Sequence, residues 1–180
     1  NWSADSLVNP YKNIVYEGAF RLPASNQEYA TWAYGGSSLS YYPHGNASRD
    51  TNTELPGSLY AFGHSHSMLA GEVSIPKPSK SRTASALPRS RQLKAFTDPW
   101  PRVYPSSGGD LQRFPDGALG PVAGMVYHGA VGTVAEGLYY TLADGYATPS
   151  DVPNLGSFSM GLDKAFGPWF IKGVPPQNVD

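Results

Sequence analysis

The chain has 180 residues, no cysteine, 13 Lys plus Arg, 14 Asp plus Glu and a formal net charge of -1. That length suits one domain with a core of its own, and the missing cysteine excludes a disulfide scaffold, a thiolate metal site and a thiol nucleophile. The even charge argues against a dedicated nucleic-acid binder, and no run of about 18 apolar residues is present to span a membrane.

Gly (20), Pro (17) and Tyr (12) are abundant while charged residues make up only 15%, a profile that leans to β structure joined by many loops. Runs rich in aromatic and β-branched residues, bounded by Gly, Pro, Asn and Asp, predict nine short strands. In chain order they fall at 13–21, 38–42, 58–63, 69–75, 92–96, 123–128, 137–142, 156–161 and 169–172. The best helix candidate, 88–95, begins at Pro88, but Leu87 and Leu93 do not build an apolar stripe. Long connections are expected at 45–56, 76–90 and 99–120, the last two rich in Pro and Ser. The chain begins with Asn1 rather than Met, which together with low charge suggests an exported protein, secreted or periplasmic, whose leader has been removed. Asn1-Trp2-Ser3 and Asn46-Ala47-Ser48 are N-glycosylation sequons.

Pro23, Pro99 and Pro175 lie at equal 76-residue intervals, each closing a short extended run. Ser38 to Tyr42, Ser58 to Gly63 and Gly71 to Pro76 are followed by a matching series, Gly124 to His128, Gly137 to Leu142 and Gly156 to Met160. Repeat units at about 13–90 and 91–166, with the start of a third at 167–180, each supply about four strands, as a propeller blade does.

Three stretches carry a family resemblance: Val15 to Pro23, Tyr34-Gly35-Gly36 through Tyr41-Tyr42-Pro43, and Ser58-Leu59-Tyr60-Ala61-Phe62-Gly63-His64. Together they resemble the opening blade of secreted bacterial β-propeller proteins, some of which are polysaccharide lyases or glycan-binding proteins. The resemblance implies an all-β fold of antiparallel four-stranded blades and an extracellular polysaccharide ligand. A propeller closes with about 4–8 blades, so two units imply a partial propeller, completed by further copies of the chain or by the remainder of a longer one. A β-sandwich is the alternative, because nine strands suffice for it.

Candidate chemistry centres on histidine. In a strand, residues i and i+2 share a face, so His64 and His66 are candidate ligands for a divalent metal, Zn²⁺ or Ca²⁺. A third ligand is available by type from His44, His128, Glu136 or Asp144. Elimination on an acidic polysaccharide needs a base, an acid and a charge neutraliser, and His64, His66, His128, Tyr127 and Tyr139 are the candidate catalytic residues. Lys77, Lys80, Arg82, Arg89, Arg91 and Lys94 form a basic run with no acid between Glu72 and Asp98. Arg82, Arg89 and Arg91 are therefore candidate contacts for an acidic polymer, and Trp32 and Trp100 are candidate stacking platforms for sugar rings. No nucleophile elbow, zincin, phosphate-loop or dinucleotide motif is present. The expected function is binding or cleavage of an extracellular, acidic polysaccharide. The alternative is a non-enzymatic structural protein that self-assembles or pairs with a second polypeptide.

Overall fold

The structure, a computed structural model, describes residues 13–24, 30–35, 38–64, 67–99, 122–142 and 155–169. It is all-β. Strands β1 (Leu39–Tyr42), β2 (Glu54–Phe62), β3 (Ala70–Pro76) and β4 (Gln92–Thr97) form one antiparallel sheet in sequence order. Strands β5 (Val122–His128), β6 (Gly137–Leu142), β7 (Leu155–Ser159) and β8 (Ala165–Trp169) form a second of the same kind. The only helical turn among these elements is a 3-10 turn at Ala84–Ala86, and among the described residues no helix is long and apolar enough to cross a membrane.

Pairing within the two sheets follows one register. Leu39, Ser40, Tyr41 and Tyr42 face Ala61, Tyr60, Leu59 and Ser58; Met125, Val126, Tyr127 and His128 face Tyr140, Tyr139, Leu138 and Gly137. Ser58, Leu59, Tyr60 and Ala61 then pair with Ser74, Val73, Glu72 and Gly71, as Gly137, Leu138, Tyr139 and Tyr140 pair with Ser159, Phe158, Ser157 and Gly156. The irregularity between Ala70 and Glu72 recurs between Leu155 and Ser157. Residues of the matched stretches therefore have positional counterparts: Tyr42 with His128, Tyr60 with Tyr139, Glu72 with Ser157, and Lys94 with Phe166.

Strand alternation sorts these residues onto two faces. Ser40, Tyr42, Tyr60 and Phe62 turn toward the second sheet, which meets them with Met125, Tyr127, Leu138, Tyr140 and Phe158. Those residues of the second sheet are the counterparts of Leu39, Tyr41, Leu59, Ala61 and Val73, which lie on the far side of the first sheet. Unlike faces thus meet: the front of the first sheet packs on the back of the second. Tyr140 stacks on Phe158 at 4.4 Å, Phe62 approaches Phe158 at 6.4 Å, and Met68 and Leu162 close the cluster. Burying each of these large side chains contributes about 1.5–3 kcal/mol. The back of the first sheet is covered over β2 and β3, where Trp32 packs with Ala61 and Val73 and with the half-buried Leu22, Leu59 and Phe96.

Several expectations need correction. Residues 13–21 form no strand; Ile14, Val15 and Tyr16 are exposed, and only isolated bridges tie Ala19 to Ser79 and Arg21 to Arg89. A β-prone run without a partner ladder cannot satisfy its backbone as a strand. The stretch 88–95 is not helical, because β4 takes up its second half. The last described strand is Ala165–Trp169, four residues earlier than expected at its start, because a turn from Ser159 to Lys164 brings the chain straight back onto β7. Strand β4, assigned to the second repeat, pairs with β3, so the strand sets run over 39–97 and 122–169 rather than 13–90 and 91–166. Counterparts do not keep a constant spacing, because the β1–β2 connection is longer than the β5–β6 connection. The even proline spacing is therefore not the structural period. Pro99 is fully buried just beyond β4, and Pro175 lies outside the described residues.

Candidate functional site at the sheet junction

Among strands of different sheets, β1 and β5 come closest together. The Tyr127 backbone N–H, on the outer edge of β5, donates to Ser40 Oγ at 2.6 Å and pins the two strands. Alternation turns Tyr42 at the end of β1 and Tyr127 near the end of β5 into the junction, and their rings lie 5.2 Å apart. Glu136 immediately precedes β6, and the His128–Gly137 pair brings it beside both rings.

The two tyrosines share that carboxylate. Tyr42 OH donates to Glu136 Oε1 at 3.1 Å and Tyr127 OH donates to Oε2 at 2.9 Å. The exposed His44 ring stands edge-on to both, at 5.8 Å from Tyr42 and 6.5 Å from Tyr127. Deeper in, Tyr60 lies 6.0 Å from Tyr42 and donates to the Met160 carbonyl at 2.8 Å, while Ser58 Oγ donates to the buried Glu72 at 2.6 Å. Desolvation first, and the Glu136 hydrogen bond and charge second, raise the Tyr42 and Tyr127 hydroxyls above the usual phenol range. Burial and the charge of Glu72 raise Tyr60 much further. All three phenols therefore stay protonated around neutrality and act as donors, leaving Glu136 as the acceptor. A carboxylate framed by aromatic rings suits a hydroxyl-rich ligand, since each oxygen keeps a lone pair for an incoming O–H.

Only Tyr127 of the expected catalytic set belongs to this cluster. His128 and Tyr139 stack on each other at 4.2 Å on the opposite face of the second sheet. His64 follows β2 rather than continuing it. Its backbone N–H donates to the Thr31 carbonyl, its own carbonyl accepts from Ser67 and Met68, and its ring meets Tyr34 edge-on at 5.4 Å. Ser65 and His66, on which the expected shared His64–His66 face depends, lie outside the described residues. Among the described residues no group of three or more His, Asp or Glu is placed to hold a metal ion.

The expected ligand contacts also separate. Trp32 is a core residue, 7% exposed, with Nε1 donating to Gln92 Oε1 at 3.0 Å and its ring 4.6 Å from Phe96. Arg91 is committed to Glu54, donating from Nε and Nη2 at 2.9 Å each. Asn46 Nδ2, the atom a glycan would occupy, donates to Glu54 Oε2 at 3.0 Å. Arg89 is exposed and lines a cleft of about 420 Å³ with Ser48, Asp50, Thr53 and Glu54, whereas Arg82 is exposed away from it. Trp100, Asn1 and Asp144 lie outside the described residues. Tyr42 and Tyr60 are not among the expected site residues, and Glu136 is expected only as a third metal ligand. The available signal was Tyr42 and Tyr60 sharing one face by alternation, but Glu136 had no local mark.

Comparisons with protein-family models, with curated proteins and with solved structures find no match for this chain.

Proposed function

We propose that the chain is part of an exported β-propeller-type protein that binds an extracellular polysaccharide, with the two sheets acting as successive blades and the junction between them as the glycan contact. The blade reading is supported by the common register, by front-to-back packing, and by the middle of the first sheet, around Tyr60, Ala61 and Val73, being covered on both faces. A sandwich would leave one face of each sheet for solvent. The single observation that carries the binding reading is Glu136, which accepts from Tyr42 and Tyr127 in a half-buried cluster edged by the exposed His44.

The charge pattern also narrows the ligand. Glu136 and Glu72 both act on the same tyrosines, and an anionic uronate would be repelled there. The ligand proposed for this junction is therefore a neutral polysaccharide, and the separation of His64, His128 and Tyr139 from Tyr127 favours binding over elimination. Titration calorimetry against soluble neutral and uronate-rich polysaccharides tests the reading, using wild type, Glu136→Gln and Tyr127→Phe. Binding of a neutral polymer that weakens at least about tenfold in Glu136→Gln, roughly 1.4 kcal/mol, is the expected result. Binding indifferent to Glu136, or confined to uronate polymers, would refute it.

A further inference from the structure

We propose that the outer face of the second sheet docks the first sheet of another copy of this chain, so that copies join head to tail through a joint like the internal one. The inference rests on the blade reading but not on the glycan site. Register places Val126, His128, Tyr139, Ser157 and Phe166 at the positions of Ser40, Tyr42, Tyr60, Glu72 and Lys94. In the first sheet Ser40, Tyr42 and Tyr60 receive the second sheet. In the second sheet the same face leaves Val126 59% and Phe166 52% exposed.

The opposite end carries the complementary half. Met125 and Tyr127 are the residues by which β5 engages β1. Their counterparts, Leu39 and Tyr41, are 55% and 49% exposed on the back of the first sheet. Trp32 covers the Ala61 and Val73 region of that back and leaves β1 open. The internal joint is closest between β1 and β5, so the open strand is the one a repeated joint would use. His128 adds a polar mark. It is the counterpart of Tyr42, whose hydroxyl crosses the internal joint to Glu136. The two ends of one molecule therefore differ from each other and match each other, which defines a heterologous contact able to propagate or close into a ring.

The test is sedimentation velocity on the full chain up to about 1 mM, together with Val126→Lys, at the position of the joint-forming Ser40, and Leu39→Lys, one from each end. Both sites are exposed, and circular dichroism with thermal melting confirms that the variants remain folded. Wild type should show mass increasing with concentration, and each variant alone should stay monomeric. An equimolar mixture of the two should stop at dimers, because each variant retains one competent end. A wild type that is monomeric throughout, variants that assemble like wild type, or a mixture that stays monomeric would overturn the proposal. Glycan binding is measured on the same samples; if it persists in a strictly monomeric wild type, the docking inference fails while the binding reading stands.

Discussion

Replacing Glu54 with glutamine keeps the shape of the side chain and removes its charge. In the folded protein this carboxylate is buried at the head of β2, accepts two hydrogen bonds from Arg91 and a third from Asn46. The Arg91 hydrogen bonds are the largest influence and hold the Glu54 carboxyl at about 2, against an ordinary 4.5, despite the opposing cost of burial. By linkage that difference corresponds to about 3 kcal/mol at neutral pH. Arg91 is 55% exposed, so solvent screens the pair and the expected loss in Glu54→Gln is about 1–2 kcal/mol. Because the folded value is depressed, this stability is complete above pH 4.5 and is lost as pH falls through about 2. Urea unfolding followed by tryptophan fluorescence should show a lowered midpoint for the variant at pH 7. The gap from wild type should roughly halve near pH 3 and close at about pH 2. A gap of equal size at pH 7 and pH 2, or none at pH 7, would show that the pair does not couple folding to Glu54 ionisation.

Gly156 pairs across the ladder with Tyr140, whose ring occupies the space a Cβ would fill. Gly156→Ala should cost about 1–3 kcal/mol in chemical unfolding through overpacking of that strand pair. Tyr60→Phe removes the bond to the Met160 carbonyl and should cost about 1 kcal/mol near neutrality. The raised Tyr60 hydroxyl also sets the alkaline limb. Its contribution is whole below the unfolded value near 10 and is lost as pH rises beyond it, so the variant should lose less stability than wild type between about pH 10 and 12. Trp32→Ala should cost about 3–5 kcal/mol in thermal or urea unfolding, as a core truncation does, while polysaccharide affinity of the folded fraction stays unchanged.

Much of the architecture was legible because strand formation here is marked locally. Aromatic and β-branched runs between Gly, Pro and Asn located seven of the eight strands to within a few residues, and the match of Ser58-Leu59-Tyr60 with Gly137-Leu138-Tyr139 anticipated their shared register. The failures share a cause as well. Residues 13–21 have the composition of a strand but no continuous ladder partner, and partner supply is not local information. Trp32 has the profile of a stacking platform, yet the cavity beside Ala61, Val73 and Phe96 claims its ring.

By itself, then, the sequence determined the all-β class, the absence of thiol chemistry and the place of most of the strands, since composition and period-two alternation act over a few residues. Tertiary structure decided which face of each sheet is covered, that β4 closes the first sheet, and that His64 stands apart from His128. It alone brought Tyr42 to Glu136, 94 positions away in the chain. Such contacts arise from how two sheets share their buried faces, and burial is a property of the whole packed chain rather than of any short stretch.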